Sequence, residues 1–343
     1  MASGEPDSDY GVTKMDMSLK IQSDSGITEY GDLTTEAELT TQRLDSPAKF
    51  TFTCIHPGMC GIETGNQVSF AVGGVPLFRG YVFTIERNQD GEIACTAYDQ
   101  IRYLKANASY VFEAMTLGQM IQQIAADFGL TCGILEDTGY AFPCLIKENE
   151  SCLDIIFDAL AETIYRTGRI FNFFDDNGAL TLREAKNMYV NTLIGDGSLM
   201  TEYTYKRDID SDTYNRVKLV KANSATGKAD VYLHEDTETI KKWGLLQYYD
   251  EVDENMNEAQ IDQLCQTYLA YYNRVLQTVS FEAVGVKGIR AGTIIPVRIG
   301  AVNDLRISRL LLAEKVTHKF EADTHTMSIE VKDFGQLGGM SLV

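Results

Sequence analysis

The chain has 343 residues, 44% of them hydrophobic, with 49 acidic against 30 basic side chains and a net charge of −19. That apolar share belongs to a folded globular protein with room for two or three domains. So negative a surface disfavours binding to nucleic-acid phosphates and to anionic membranes. No apolar run approaches the roughly 20 residues that span a bilayer, and the N-terminus lacks the basic-then-apolar layout of a secretory signal. Seven cysteines without a C-x-x-C pair read as free thiols of a protein made in a reducing cytosol.

The acidic start of the chain reads as extended, gaining strand character from about Met17. From Lys49 to Tyr110 the pattern is β: AKFTFTCI, NQVSFAV, LFRGYVFTIERN and EIACTAYDQIRYL, punctuated by HPGMCG, VGGV and NQDG. Short strands at this spacing predict a barrel or sandwich. The period then changes. Thr116 precedes LGQMIQQIAADFG, with Gln119 at the capping-box position, Leu117, Met120, Ile121, Ile124 and Phe128 on one face, and Gly129 at the end. Ser151 starts a second helix with Leu153, Ile156, Leu160 and Ile164 inward, closed by Gly168. RIFNFFDDNGALTLRE follows as a hairpin across DDNG.

After Asn187 the β pattern returns in LMTEYTYK, YNRVKLVKAN and KADVYLHE. The interlude ETIKKWGLLQYYDEVDEN leads to a helical stripe of Ile261, Leu264, Cys265, Tyr268, Tyr272 and Val275, read as core. Strands resume at TVSFEAVG and run through GTIIPVRIG and RISRLLLAEKVTHKF to HTMSIEVKDF. GNQVSFAVGG…TAYD and AGTIIPVRIG…VKDF share a layout of Gly-marked strand, long strand, tight turn and returning strand, which suggests two similar barrels.

The stretch VTHKFEADTHTMSIEV holds two of the four histidines. Val316, His318 and Phe320, then His325, Met327, Ile329 and Val331, alternate with polar residues on either side of EADT, as in a hairpin with one buried face. Both histidines fall on the apolar face as diagonal neighbours, about 7–8 Å apart by backbone position. Zinc needs three or four converging ligands, and the nearest acid of matching parity, Glu314, lies about 13 Å along the strand. The reading is structural, with neutral, hydrogen-bonded rings.

Other chemistry-bearing groups are sparse. CIHPGMC brings Cys54, His56 and Cys60 together without a fourth ligand or a motif for an oxyanion hole. DIDSDT spaces Asp208, Asp210 and Asp212 like the start of a calcium loop, but Thr213 and Leu219 stand where Gly and Glu are required. A weak cation site or a solvated acidic turn both remain open there. VGGV and GDG lack a phosphate-binding context, and Trp243 serves equally as core or as interface anchor. No catalytic, cofactor-binding or metal residue is assigned.

GYVFTIERNQDGEIACTAYDQIRYLKAN, DTYNRVKLV, KKWGLLQYYDEVDEN and VTHKFEADTHTMSIEV, in colinear order over about residues 12–334, resemble the XkdQ-type proteins of PBSX-like phage tails. These belong to the baseplate hub proteins of contractile tails and R-type bacteriocins. The resemblance implies an α+β, mainly β fold with two tube-type β-barrel domains and a peripheral α/β module. Residues 1–110 would hold the N-terminal region and first barrel, 111–186 the α/β module, and 187–235 with 276–343 the second barrel. Residues 236–275 would be a helical insertion packing with the α/β module. It also implies a homotrimer joining a tail tube protein hexamer to a central spike protein among other baseplate proteins. Such a protein is a non-enzymatic structural component without cofactor, with no membrane binding of its own and no specific nucleic-acid binding. It would be assembled in the bacterial cytoplasm and carried in a virion tail baseplate or a released bacteriocin particle. Competing readings are a tail-associated peptidoglycan hydrolase using Cys60 or an acid pair, and a receptor- or carbohydrate-binding β module marked by exposed aromatics.

Overall fold

A computed structural model describes residues 15–332 except 56–60, 224–226, 253, 255, 303–304 and 322. In chain order β1 (Met17–Ser23), β2 (Gly26–Glu29), β3 (Thr34–Gln42), β4 (Lys49–Ile55), β5 (Gln67–Val72), β6 (Val75–Arg87) and β7 (Glu92–Tyr98) come first. Then follow β8 (Asn107–Thr116), α1 (Leu117–Asp127), β9 (Cys132–Leu135), β10 (Ala141–Ser151), α2 (Cys152–Thr167), β11 (Phe171–Asp175) and β12 (Leu180–Glu184). After the short β13 (Ile194–Gly195) come β14 (Met200–Asp208), β15 (Arg216–Asn223), β16 (Lys228–Glu235), α3 (Thr237–Trp243), β17 (Gln247–Val252) and α4 (Glu258–Tyr272). The chain then forms β18 (Leu276–Val284), β19 (Ile294–Val302), β20 (Leu305–Glu321) and β21 (Thr324–Lys332). The fold is α+β and mainly β.

These elements fall into two compact units, one of residues up to Tyr203 with Ser280–Val331, the other centred on Thr204–Val279. In the first unit, β3 to β7 are amphipathic strands whose inner residues build an aromatic core. Phe50 lies 4.8 Å from Phe70 and 5.0 Å from Phe78, ring centre to ring centre. β20 is seventeen residues long and serves two partners on one edge. Its first half pairs with β19, and its second half pairs with β3 from Lys315↔Gln42 to Glu321↔Glu36. The two β regions are therefore joined in one sheet path, and among the described residues that path stays open rather than closing into a barrel. The join is cemented by side chains: Phe320 of β20 is fully buried in the β1–β7 core, edge-on to Phe70 at 5.1 Å.

The α/β module forms as its local signals direct. Thr116 and Gln119 make the reciprocal capping box of α1, and Leu117, Met120, Ile121 and Ile124 are buried. Ser151 caps α2 through the Asp154 amide, and Gly168 ends it with φ 67°, a left-handed conformation that favours glycine. One boundary differs from the sequence reading. The strand EIACTAY stops at Tyr98 because Asp99 caps a 3-10 turn, Gln100–Lys105, which sends Ile101 and Leu104 into the core of the α/β module.

In the second unit, β15 pairs antiparallel with β16 and parallel with β17. Val217 and Leu219 of β15 point at Ile261 and Cys265 of α4, and all four are fully buried. Residues 216–235 thus join a sheet separate from β18–β21, not the second β region to which the sequence reading assigns them. The apolar stripe of α4 supplies the reason, because alternate residues of β15 need that cover. Tyr214, Tyr248, Tyr268, Tyr271 and Tyr272 extend this core in ring-to-ring contacts, with Tyr248 and Tyr272 stacked at 5.2 Å.

Candidate functional site

The hairpin of β20 and β21 carries both histidines. His318 is buried and His325 half-buried. His318 Nδ1 lies 3.0 Å from His325 Nε2, and His318 Nε2 lies 2.7 Å from the Ile289 carbonyl oxygen. A carbonyl can only accept, so His318 carries its proton on Nε2, and its Nδ1 accepts from His325 Nε2–H. Three of the four ring nitrogens are thereby occupied by one another and by the backbone. The arrangement is a packing and hydrogen-bonding pair, not a set of converging ligands. The Phe320 ring stacks on His325 at 4.3 Å, and Gly285 passes so close to that ring that a Cβ there would collide with it. Burial pushes the His318 pKa down. Burial, helped by His318 and Lys287, lowers that of His325 to about 4. Glu314 is engaged elsewhere, accepting from Arg43 Nε at 2.9 Å in a buried ion pair.

The remaining residues singled out in the sequence are not brought together. Cys54 is buried with its sulfur 3.7 Å from Thr34 Oγ1, while His56 and Cys60 lie outside the described residues. The six described cysteines are free thiols. Asp208 Oδ1 accepts from the amides of Asp210 and Ser211, and Oδ2 pairs with Lys206 at 2.6 Å. Its pKa is lowered by Lys206 first and by those amides after it. The acidic run is thus a turn closed by Asp208, in which Asp210 and Asp212 are exposed. Trp243 is half-buried at the end of α3, 5.8 Å from Lys242 Nζ.

Sequence reasoning missed a buried carboxyl pair. Asp99 Oδ2 accepts from the Ala48 amide at 3.0 Å and Oδ1 from the Ile101 amide at 3.1 Å. Asp175 Oδ1 accepts from the Gly178 amide at 2.6 Å. Burial raises the pKa of both, and the charge of Asp175 raises that of Asp99 further, opposed by Arg290. The Arg290 guanidinium lies 4.0 Å over the Phe174 ring. A carboxyl pair with raised pKa values is a recognised signal of acid–base chemistry. Here the fixed backbone bonds make it a clamp on β4, the 3-10 turn and the β11–β12 turn. The sequence signal was an aspartate directly after an alternating strand, which marks a cap. Two surface pockets of about 180 Å³ each, lined chiefly by Thr and Glu in one and by Gln, Tyr and Arg79 in the other, fall below the roughly 300 Å³ at which small-molecule sites begin.

Comparison with known proteins gives a consistent picture. The chain is 30% identical over 313 residues to the uncharacterized protein YqbQ of Bacillus subtilis strain 168, covering 89% of this chain and 94% of that one. It is 31% identical over 274 residues to the phage-like element PBSX protein XkdQ of the same organism, covering 79% and 82%. Among solved structures, the fold matches the 43 kDa tail protein of prophage MuSo2 from Shewanella oneidensis with a TM-score of 0.66. That match has 16% identity and covers 92% of this chain and 98% of the other. The model of the YQBQ-like family matches residues 37–332. The chain belongs to the YQBQ-like family.

Proposed function

We propose that the protein is a structural baseplate hub of a contractile tail, a homotrimer that joins the hexameric tail tube to the central spike. The observation that carries this reading is the full-length correspondence of fold with a prophage tail protein, which leaves almost nothing of either chain unmatched. A trimer can cap a six-fold ring only if each subunit offers two comparable surfaces, since otherwise half the ring would face unpaired edges. β1–β7 supply one such surface, and β13 with β18–β21 supply the other. β20, shared between them, fixes their spacing. A net charge of −19 suits a conduit through which a polyanion moves without adhering. The protein would act without catalysis, assembling in the bacterial cytoplasm with tube, spike and other baseplate proteins into a virion tail or a bacteriocin particle.

Electron cryomicroscopy of particles released by the host tests this reading. The expected map has three copies of the chain on the particle axis between the last tube ring and the spike. Six copies, or a position off the axis, would overturn the adaptor role.

A further inference from the structure

Among the described residues, β16 forms one edge of the sheet of the second unit. β16 pairs with β15 over all eight of its residues, from Arg216↔Glu235 to Asn223↔Lys228, without a bulge. Among the described residues no strand lies along its other side. An edge strand directs alternate N–H and C=O groups outward, and proteins guard such edges with proline, bulges or a central lysine. Between Ala229 and His234 β16 has no proline, bulge or lysine, and its one acid there, Asp230, shares the face of Tyr232 and His234. The opposite edge, β17, carries the adjacent acids Asp250 and Glu251.

The side chains of β16 divide cleanly. Tyr232 and His234 turn toward α4, where Tyr232 joins the core and His234 Nε2 meets Asp262 Oδ1 at 2.6 Å. Val231 and Leu233 occupy the other face and are 55% and 46% exposed. Val220, opposite Val231, and Tyr249, beside Lys218, continue that face across the sheet.

We propose that the β16 edge receives an extended strand of another protein in which apolar residues alternate with basic ones. A row of outward N–H and C=O groups, otherwise left to water, is matched along its length by another extended backbone. Side-chain alternation then places every second guest residue beside Val231 and Leu233, where an apolar group gains burial. The intervening residues fall on the α4 side, which carries Asp230, Glu258 and Asp262. On that side Lys221 donates to the Met256 carbonyl, His234 meets Asp262, and Asp230 accepts from the neutral Asn223 amide. Basic guest residues therefore complement it. This inference does not depend on the hub reading.

The probe is a capped peptide of four Lys-Val repeats added to the full-length chain, read by amide hydrogen exchange. Slowed exchange confined to β16 is expected. Binding should weaken at least ten-fold when a central valine of the peptide is replaced by proline, and also for four Glu-Val repeats. Val231→Lys and, separately, Leu233→Lys should each abolish the added protection. Unchanged β16 amides at saturating peptide would overturn the proposal. So would equal binding of the proline peptide, which would reduce the effect to charge attraction. The peptide controls keep the test decisive even if a lysine variant fails to fold.

Discussion

A neutral imidazole pair makes stability depend on acid. Histidines in an unfolded chain titrate near 6.5, whereas burial, with His318 and Lys287 beside it, holds folded His325 near 4. Between those values the unfolded state binds more protons. Stability therefore falls as pH drops from about 6.5 toward 4 and levels off below. We expect the ring protons of His325 to titrate near 4 by NMR, and His325→Phe to flatten the pH dependence of urea midpoints across that window. A His325 midpoint near 6.5 would remove the hydrogen-bonded pair. The Arg43–Glu314 pair yields a second expectation. Glu314→Ala removes the carboxylate from a buried ion pair and should cost about 3–5 kcal/mol, while Arg43→Met with Glu314→Leu together should cost far less. A double variant as unstable as Glu314→Ala would contradict this. The inward placement of the histidines was legible because strand parity is local. The bond of His318 to Ile289, and the electrostatic coupling of Asp99 with Asp175, were not, since each joins segments far apart in sequence.

Helix starts carry their own instructions. Thr116 and Gln119 satisfy each other's backbone amides at 3.4 and 2.8 Å, so α1 needs no tertiary partner to define its first turn. Thr116→Ala should cost about 1 kcal/mol by denaturant unfolding, and Thr116→Ser almost none. Equal losses for both would show that the methyl group, not the hydroxyl, matters there. The same locality explains why the limits of α1 and α2 followed from the text, down to Gly168, whereas α4 stops at Tyr272, short of the Val275 at which its apolar stripe ends in the sequence. Strand partnership is different. KADVYLHE and LAEKVTHKF alternate alike, and nothing in either states that one pairs with β15 under α4 while the other bridges β19 and β3. Caps are written within four residues, whereas pairing is decided by which apolar faces remain to be covered.

At the scale of the molecule, β20 decides whether the first unit behaves as one body. Its Phe320 belongs to the C-terminal strands by sequence and to the N-terminal core by packing. Removing that ring empties a site among Phe70, His318 and His325, and large-to-small changes of this kind cost about 3–5 kcal/mol. Because both β regions share the strand, the loss should fall on both at once. In native-state hydrogen exchange, Phe320→Ala should therefore lower the protection of β4 and of β19 by similar amounts. Leu219→Ala, a cavity between β15 and α4, should act first on β15–β17 and leave β4 unchanged. If Phe320→Ala weakened β19 and left β4 fully protected, the two β regions would be separate cooperative units. The proposed hub could then not hold two ring-facing surfaces at a fixed spacing, and a match of three subunits to six would lose its mechanical basis.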